Sequence, residues 1–191
     1  MIDLKGNKLI LASKSPRRQE LLKGLCVDFE VRTKETAEDY PENMPVGEVA
    51  AFVSEKKAKA FVGELEDHEI LLTSDTVVIL DGRVLEKPRN KEEARQMLRS
   101  LSANQHTVST GITLLSYSKT ITLQDEASVV FKSLSEEEID FYIDHFKPFD
   151  KAGAYGIQEW IGYIGVKKIE GSFYSVMGLP VHLVYQALKD W

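Results

Sequence analysis

The stretch Leu9-Ile10-Leu11-Ala12-Ser13-Lys14-Ser15-Pro16-Arg17-Arg18 constrains this chain more than any other, because it reads as a buried strand, a tight turn and the start of a helix. A continuous apolar run of that length suits a central strand covered on both faces rather than a half-exposed one. Ser15 suits the N-cap, and Pro16 suits the first helical position, where its missing N–H would have had no partner anyway. Leu21, Leu22 and Leu25 supply a core face, and Lys23 with Gly24 suits the end of the helix. Ser13, Ser15, Arg17 and Arg18 therefore gather at a helix N-terminus, where free N–H groups and the dipole favour an anion. Two adjacent arginines there repel each other and the dipole, so a counter-charge is expected, and Arg grips phosphate oxygens two at a time. The same residues read equally well as two capping serines and two solvated arginines. A Walker A loop is excluded, since its glycine spacing and Gly-Lys-Ser/Thr ending are absent.

The chain's charge narrows the anion. With 24 Lys and Arg against 30 Asp and Glu, the 191 residues carry a net charge of −6, which argues against general nucleic-acid binding and for a small anion in a local basic pocket. A hydrophobic content of 43% is enough for one or two lobes with a real core, without a separate linker. The single cysteine, Cys26, excludes an internal disulfide framework and is expected to pack as a small hydrophobe near the end of the first helix. The first residues lack an apolar signal region and no apolar run reaches membrane-spanning length, so the chain reads as cytoplasmic. The four histidines have no metal-ligand spacing, which argues against zinc.

Further along, residues 29 to 33 suggest a second strand that leads into an acidic connection, residues 35 to 42. That connection reads either as a solvated loop or as the mount for a metal-binding carboxylate at Glu38. Residues 46 to 63 form the longest helical pattern, and Lys57 falls inside its apolar stripe with Val46, Val49, Val53 and Ala60. A lysine there either snorkels to the edge or faces a cleft and meets a phosphate. Residues 70 to 73 and 77 to 80 read as two strand segments interrupted by Ser74-Asp75-Thr76. Polar residues between apolar runs are costly unless hydrogen-bonded or solvated in a cleft, so Asp75 is the first candidate for a catalytic or metal-holding carboxylate. Its plainer reading is an Asp at a bend. Asp81-Gly82 signals a hairpin, whose return arm would bring Lys87 out near Asp75. Asn90 with Glu93 and Ser135 with Glu138 resemble capping boxes opening two more helices, with two long strands, residues 106 to 115 and 120 to 131, between them. A strand is expected over residues 161 to 169, and a last helix from Pro180 nearly to Trp191.

Taken in order, Ser13-x-Ser15-Pro16-Arg17-Arg18, Lys57-Ala58-x-Ala60, Ser74-Asp75-Thr76, Glu86-Lys87-Pro88, the run from Asp150-Lys151-Ala152-Gly153 through Ala154-Tyr155-Gly156-Ile157-Gln158, and Val176-Met177-Gly178-Leu179-Pro180 resemble the motifs of the Maf proteins. The resemblance covers almost the whole chain. It implies an α/β fold, a two-lobed mixed sheet with flanking helices similar to the inosine triphosphatase group. It also implies a single domain over residues 1–191, with the active cleft between the lobes.

The resemblance further implies a nucleoside triphosphate pyrophosphatase of the branch that hydrolyses dTTP and UTP, with modified pyrimidine nucleotides as further substrates. Arg17, Thr76 and Gln158 match the positions that influence base choice, and Asp75 matches the proton acceptor. The match at Glu38 is looser, since Ala37 stands where the family often has a second acidic residue. Glu38 and Asp75 would hold Mg²⁺ or Mn²⁺, while Ser13, Arg18, Lys57 and Lys87 would neutralise the phosphates. Gln158 would pair with the O4 and N3–H edge of uracil or thymine, because one amide offers both a donor and an acceptor. A homodimer is implied as well. The rival reading is a nucleotide-sensing regulator of septum formation that binds without turnover, and such a sensor has no need of a carboxylate at the α-phosphate.

Overall fold

The computed structural model describes residues 2–191. Its strands are β1 (Lys8–Leu11), β2 (Phe29–Val31), β3 (Glu69–Leu80), β4 (Arg83–Leu85), β5 (Gln105–Leu115), β6 (Thr120–Phe131) and β7 (Val166–Glu170). Its helices are α1 (Pro16–Lys23), α2 (Val49–Lys59), α3 (Lys91–Leu101), α4 (Glu136–Phe146), α5 (Trp160–Gly165), α6 (Phe173–Met177) and α7 (Val181–Lys189). The strands form one mixed sheet in the order β2-β1-β3-β5-β6-β7, and β4 pairs with β3. β1 lies parallel to both of its neighbours, with Leu9 opposite Phe29 on one side and Ile70 on the other.

The alternation along β1 explains its central place. Leu9 and Leu11 pack with Ile70, Leu72, Leu22 of α1 and Val184 of α7, whereas Ile10 turns to the other face against Leu71, Ala58 and Phe61. A buried Leu or Ile contributes about 1.5–3 kcal/mol, against about 1 kcal/mol net for a hydrogen bond. Burial on both faces therefore decides where this strand goes, as its unbroken apolar run predicts.

The chain divides into two compact units. The first holds the chain up to Asp75 together with Thr110–Asp125 and Gly178–Trp191, and the second holds Thr76–Ser109 and Glu126–Met177. The first unit carries the cores on the two faces of β1. The second has its own core, in which Leu98 and Leu101 of α3, Phe131 of β6 and Tyr142 and Ile143 of α4 pack with Tyr155 and Ile161.

Several local expectations are corrected. β3 runs unbroken through Ser74, Asp75 and Thr76, because each buried polar side chain of the first two finds a partner without bending the strand. Residues 161 to 169 are not one strand: α5 occupies the first half and β7 the second. The reason is spacing, since Ile161 and Gly165 lie four apart and are both buried on one helical face. Gly162 permits the turn, as a Cβ there would stand 1.8 Å from the Ile157 carbonyl oxygen. Cys26 is exposed rather than packed, in the turn that follows α1, where its φ is 53°.

The capping signals divide. Ser135 and Glu138 form the full box, whereas Asn90 accepts the Glu93 N–H but the Glu93 carboxylate turns to Arg89 instead. The Asp81-Gly82 hairpin forms as expected, with Leu80 opposite Arg83 and positive φ at both turn residues. No helix among the described residues is long and apolar enough to cross a membrane.

Candidate active site

Three consecutive buried polar residues of β3 organise the first unit. Thr73 donates its hydroxyl to the Ser54 carbonyl at 2.7 Å, Ser74 donates to the Gly178 carbonyl at 3.1 Å, and Asp75 accepts from Lys57 at 2.7 Å. Side chains alternate along a strand, so Thr73 and Asp75 share the face covered by α2, while Ser74 reaches the turn before α7. Helix α2 comes in close. A Cβ at Gly111 would lie 2.4 Å from the Ala50 carbonyl oxygen, so only glycine lets the helix backbone rest on β5 at that depth.

Lys57 is the centre of the charged cluster. Its Nζ lies 2.7 Å from Asp75 Oδ1 and 2.7 Å from Glu38 Oε1, and its side chain is 16% exposed. Burial pushes the Asp75 carboxyl above the ordinary aspartate range; Lys57 and Arg18 pull it back, and Glu38 adds to the rise. Glu38 sits in the acidic connection, which has no regular structure but is tied down by lysines. Lys56 bonds the Asp39 carboxylate at 2.7 Å and its carbonyl at 3.0 Å, and Lys34 bonds the Ala60 carbonyl at 2.9 Å. The connection is thus both tied and solvated, since Glu35, Ala37, Glu38 and Asp39 are exposed.

Arg18 is a half-buried clamp. Its Nε donates to the Gly178 carbonyl at 2.8 Å and its Nη1 to the Ser74 carbonyl at 2.9 Å. Burial lowers its pKa and the nearby Asp75 carboxylate raises it, yet a guanidinium stays charged in any such setting. Gly178, with a φ of 107°, offers one carbonyl to both Arg18 and Ser74, which explains a glycine in the Val176-to-Pro180 motif. Ser13 is buried just after β1 and accepts the Ser15 N–H at 3.2 Å; Ser15 is the N-cap residue of α1, as expected, but its side chain makes no capping hydrogen bond. Arg17 is half-buried beside Arg18 on the first turn of α1.

Thr76, Lys87 and Gln158 belong to the second unit. Thr76 is half-buried in β3 directly after Asp75, and Lys87 is exposed in the connection after β4, whose pairing with β3 ends at Val78 opposite Leu85. The connection is stitched to the glycine-rich loop, as the Gly153 N–H donates to the Glu86 carbonyl at 3.1 Å. Gln158 is half-buried, and its Nε2 lies so near Gly156 that a Cβ there would meet it at 2.9 Å. A buried chain of polar groups holds that turn. The Tyr142 hydroxyl accepts the Gly156 N–H at 3.0 Å and donates to the Glu159 carboxylate, whose other oxygen lies 3.2 Å from Lys151 Nζ.

The structure thus brings Arg18, Glu38, Lys57 and Asp75 into one charged cluster and places Ser13 and Arg17 at the start of the neighbouring helix. Sequence reasoning missed Ser54, Thr73, Tyr142 and Glu159. Only Tyr142 left a signal, a phenol where a core helix face needs no hydroxyl. No group of three or more His, Cys, Asp or Glu side chains suited to a metal occurs among the described residues. Glu38 and Asp75 do converge on one cation, and that fits Mg²⁺ or Mn²⁺, which take one or two carboxylates and complete their shell with water and substrate phosphates.

A sequence model for the family described as Maf-like protein matches residues 8–191. A dTTP/UTP pyrophosphatase of Porphyromonas gingivalis is 49% identical over 195 residues, covering 100% of this chain and 98% of the relative. That of Parabacteroides distasonis is 48% identical, covering 99% and 98%, and that of Bacteroides thetaiotaomicron is 50% identical, covering 95% of each. Among solved structures, the Staphylococcus aureus Ham1 protein overlaps 65% of this chain and 72% of its own at 13% identity and a TM-score of 0.48, too slight a likeness to argue from.

Proposed function

The chain belongs to the Maf family, and from that premise we propose that it hydrolyses dTTP and UTP in the cytosol to the nucleoside monophosphate and pyrophosphate. The observation that carries the proposal is the buried Asp75 carboxylate beside Lys57, Glu38 and Arg18, in a chain whose full-length relatives bear that activity in their names. A raised pKa suits a general base: the nearer its pKa to the working pH, the more readily it takes a proton from water in the transition state. Asp75 accepts that proton as the water oxygen attacks the α-phosphorus. The bond to the bridging oxygen breaks, and pyrophosphate leaves with the electron pair.

The cationic groups answer the charge that builds on the leaving group. Ser13, Arg18, Lys57 and Lys87 bind phosphate oxygens, and their stabilisation is greatest where water is excluded. Glu38 and Asp75 would hold a divalent cation, which neutralises phosphate charge and lowers the pKa of bound water. Gln158, with Arg17 and Thr76, selects the base. The Gln158 amide presents its N–H to O4 and its carbonyl to N3–H of uracil or thymine, and a base with the opposite pattern leaves buried groups unpaired.

Hydrolysis of UTP in water enriched in oxygen-18 tests the bond that is cleaved. Pyrophosphate and a singly labelled UMP are expected. Label in released phosphate together with UDP would mean attack at the γ-phosphorus and would overturn the proposal.

A further inference from the structure

Building on the divalent-cation site at Glu38 and Asp75, we infer that Lys57 is the counter-ion those two carboxylates hold before substrate arrives, and that it competes with the metal for them. One ammonium touches a carboxylate oxygen of each residue, both at 2.7 Å. A Mg²⁺ ion requires such oxygens at about 2.0–2.1 Å and Mn²⁺ at slightly more, so neither shares that position with an ammonium. Two like-charged occupants also repel, and the more strongly the less water lies between them.

Lys57 has somewhere else to go. Its charge sits on a flexible four-carbon stem, which allows it to leave the carboxylates for the oxygens of an incoming triphosphate. The carboxylates do not depend on it for their placement. Asp75 is fixed by β3 and by the bonds of Thr73 and Ser74, and the backbone beside Glu38 is held at Asp39, whose carbonyl and carboxylate both accept from Lys56 of α2. Triphosphate binding would then release the carboxylates as it engages the lysine, coupling the arrival of substrate to the arrival of metal. Nucleotide-free protein keeps its site closed to metal by the same contact.

The inference predicts opposite signs for metal binding and catalysis. Mn²⁺ binding to the nucleotide-free protein is measured by calorimetry at pH 8, for wild type, Lys57→Met, Lys57→Gln and Glu38→Gln, each first checked for an unchanged thermal melting profile. Lys57→Met and Lys57→Gln should bind Mn²⁺ about tenfold or more tightly than wild type while turning over UTP more slowly, and Glu38→Gln should bind it more weakly. Equal or weaker Mn²⁺ binding in both folded Lys57 variants, with Glu38→Gln still weaker than wild type, overturns the competition but leaves the metal site standing. Mn²⁺ binding by none of the four proteins overturns the metal site and the competition together.

Discussion

Thr73 donates its hydroxyl to the Ser54 carbonyl at 2.7 Å, and by that bond the strand that carries Asp75 is tied to the helix that carries Lys57. Ser54 in turn shares a bond of 2.9 Å with Thr113, so the helix is held against two strands just below the charged cluster. Thr73→Val keeps the shape and removes the donor. It should lower stability by about 1 kcal/mol and reduce kcat for UTP by about threefold to tenfold with little change in KM, as expected when a base is misplaced while substrate binding stays intact. Steady-state kinetics beside a urea melt would separate the two effects.

Asp75 carries a stability cost. Its folded pKa is raised by burial, so the carboxyl binds more protons folded than unfolded, and its contribution is fully present below the unfolded pKa and lost as pH rises through the folded one. At neutral pH the ionised group is therefore a net burden. Asp75→Asn should melt at the same temperature as wild type or higher, and a fall of several degrees would show that its contact with Lys57 outweighs the burial.

Tyr142→Phe removes the acceptor of the buried Gly156 N–H and the donor to Glu159. An orphaned buried donor costs about 1–3 kcal/mol, and the turn carrying Gln158 loses its fixed geometry. The ratio of kcat/KM for UTP over CTP should fall by about fivefold or more, while the rate with UTP falls less. An unchanged ratio would assign Tyr142 to stability alone.

His106 gives the stability curve a marked acid limb. Burial lowers its pKa to about 4, its Nε2 pairs with the Tyr155 hydroxyl at 2.8 Å, and its Nδ1 is buried without a hydrogen-bond partner among the described residues. An unfolded histidine binds its proton near pH 6.5, so between there and about pH 4 the unfolded state holds the extra proton and stability falls as pH falls. Glu69, held down to about 2 by the Arg32 guanidinium, extends the loss below pH 4.5. Chemical denaturation at pH 7 and pH 5 should show the drop in wild type and a smaller one in His106→Gln.

Much of the fold is legible in residues 9 to 18, because an unbroken apolar run followed by Ser-Pro-Arg-Arg carries both its burial and its helix start in local chemistry. Asp75 stands out for the same reason: a carboxylate among β-branched residues needs an explanation. What local pattern does not supply is partnership. The Lys57 bridge joins residues 38, 57 and 75, and the Arg18 clamp joins residues 18, 74 and 178, contacts made only when the sheet is assembled. Residues 161 to 165 suggest a strand because Ile161, Tyr163 and Ile164 are β-branched or aromatic. Their helix is set by the Glu159 carbonyl and by burial on one side, which outweigh strand propensity.

The most direct test is pyrophosphate release from dTTP, UTP, CTP, GTP and 7-methyl-GTP with Mg²⁺ or Mn²⁺, wild type beside Asp75→Asn. Wild type should turn over dTTP and UTP well above the other three, and Asp75→Asn should lose about 10²–10⁴ of that rate while still binding UTP. Tight binding of dTTP and UTP by wild type without turnover would mark a nucleotide sensor instead, and undiminished turnover in Asp75→Asn would remove Asp75 from the chemistry.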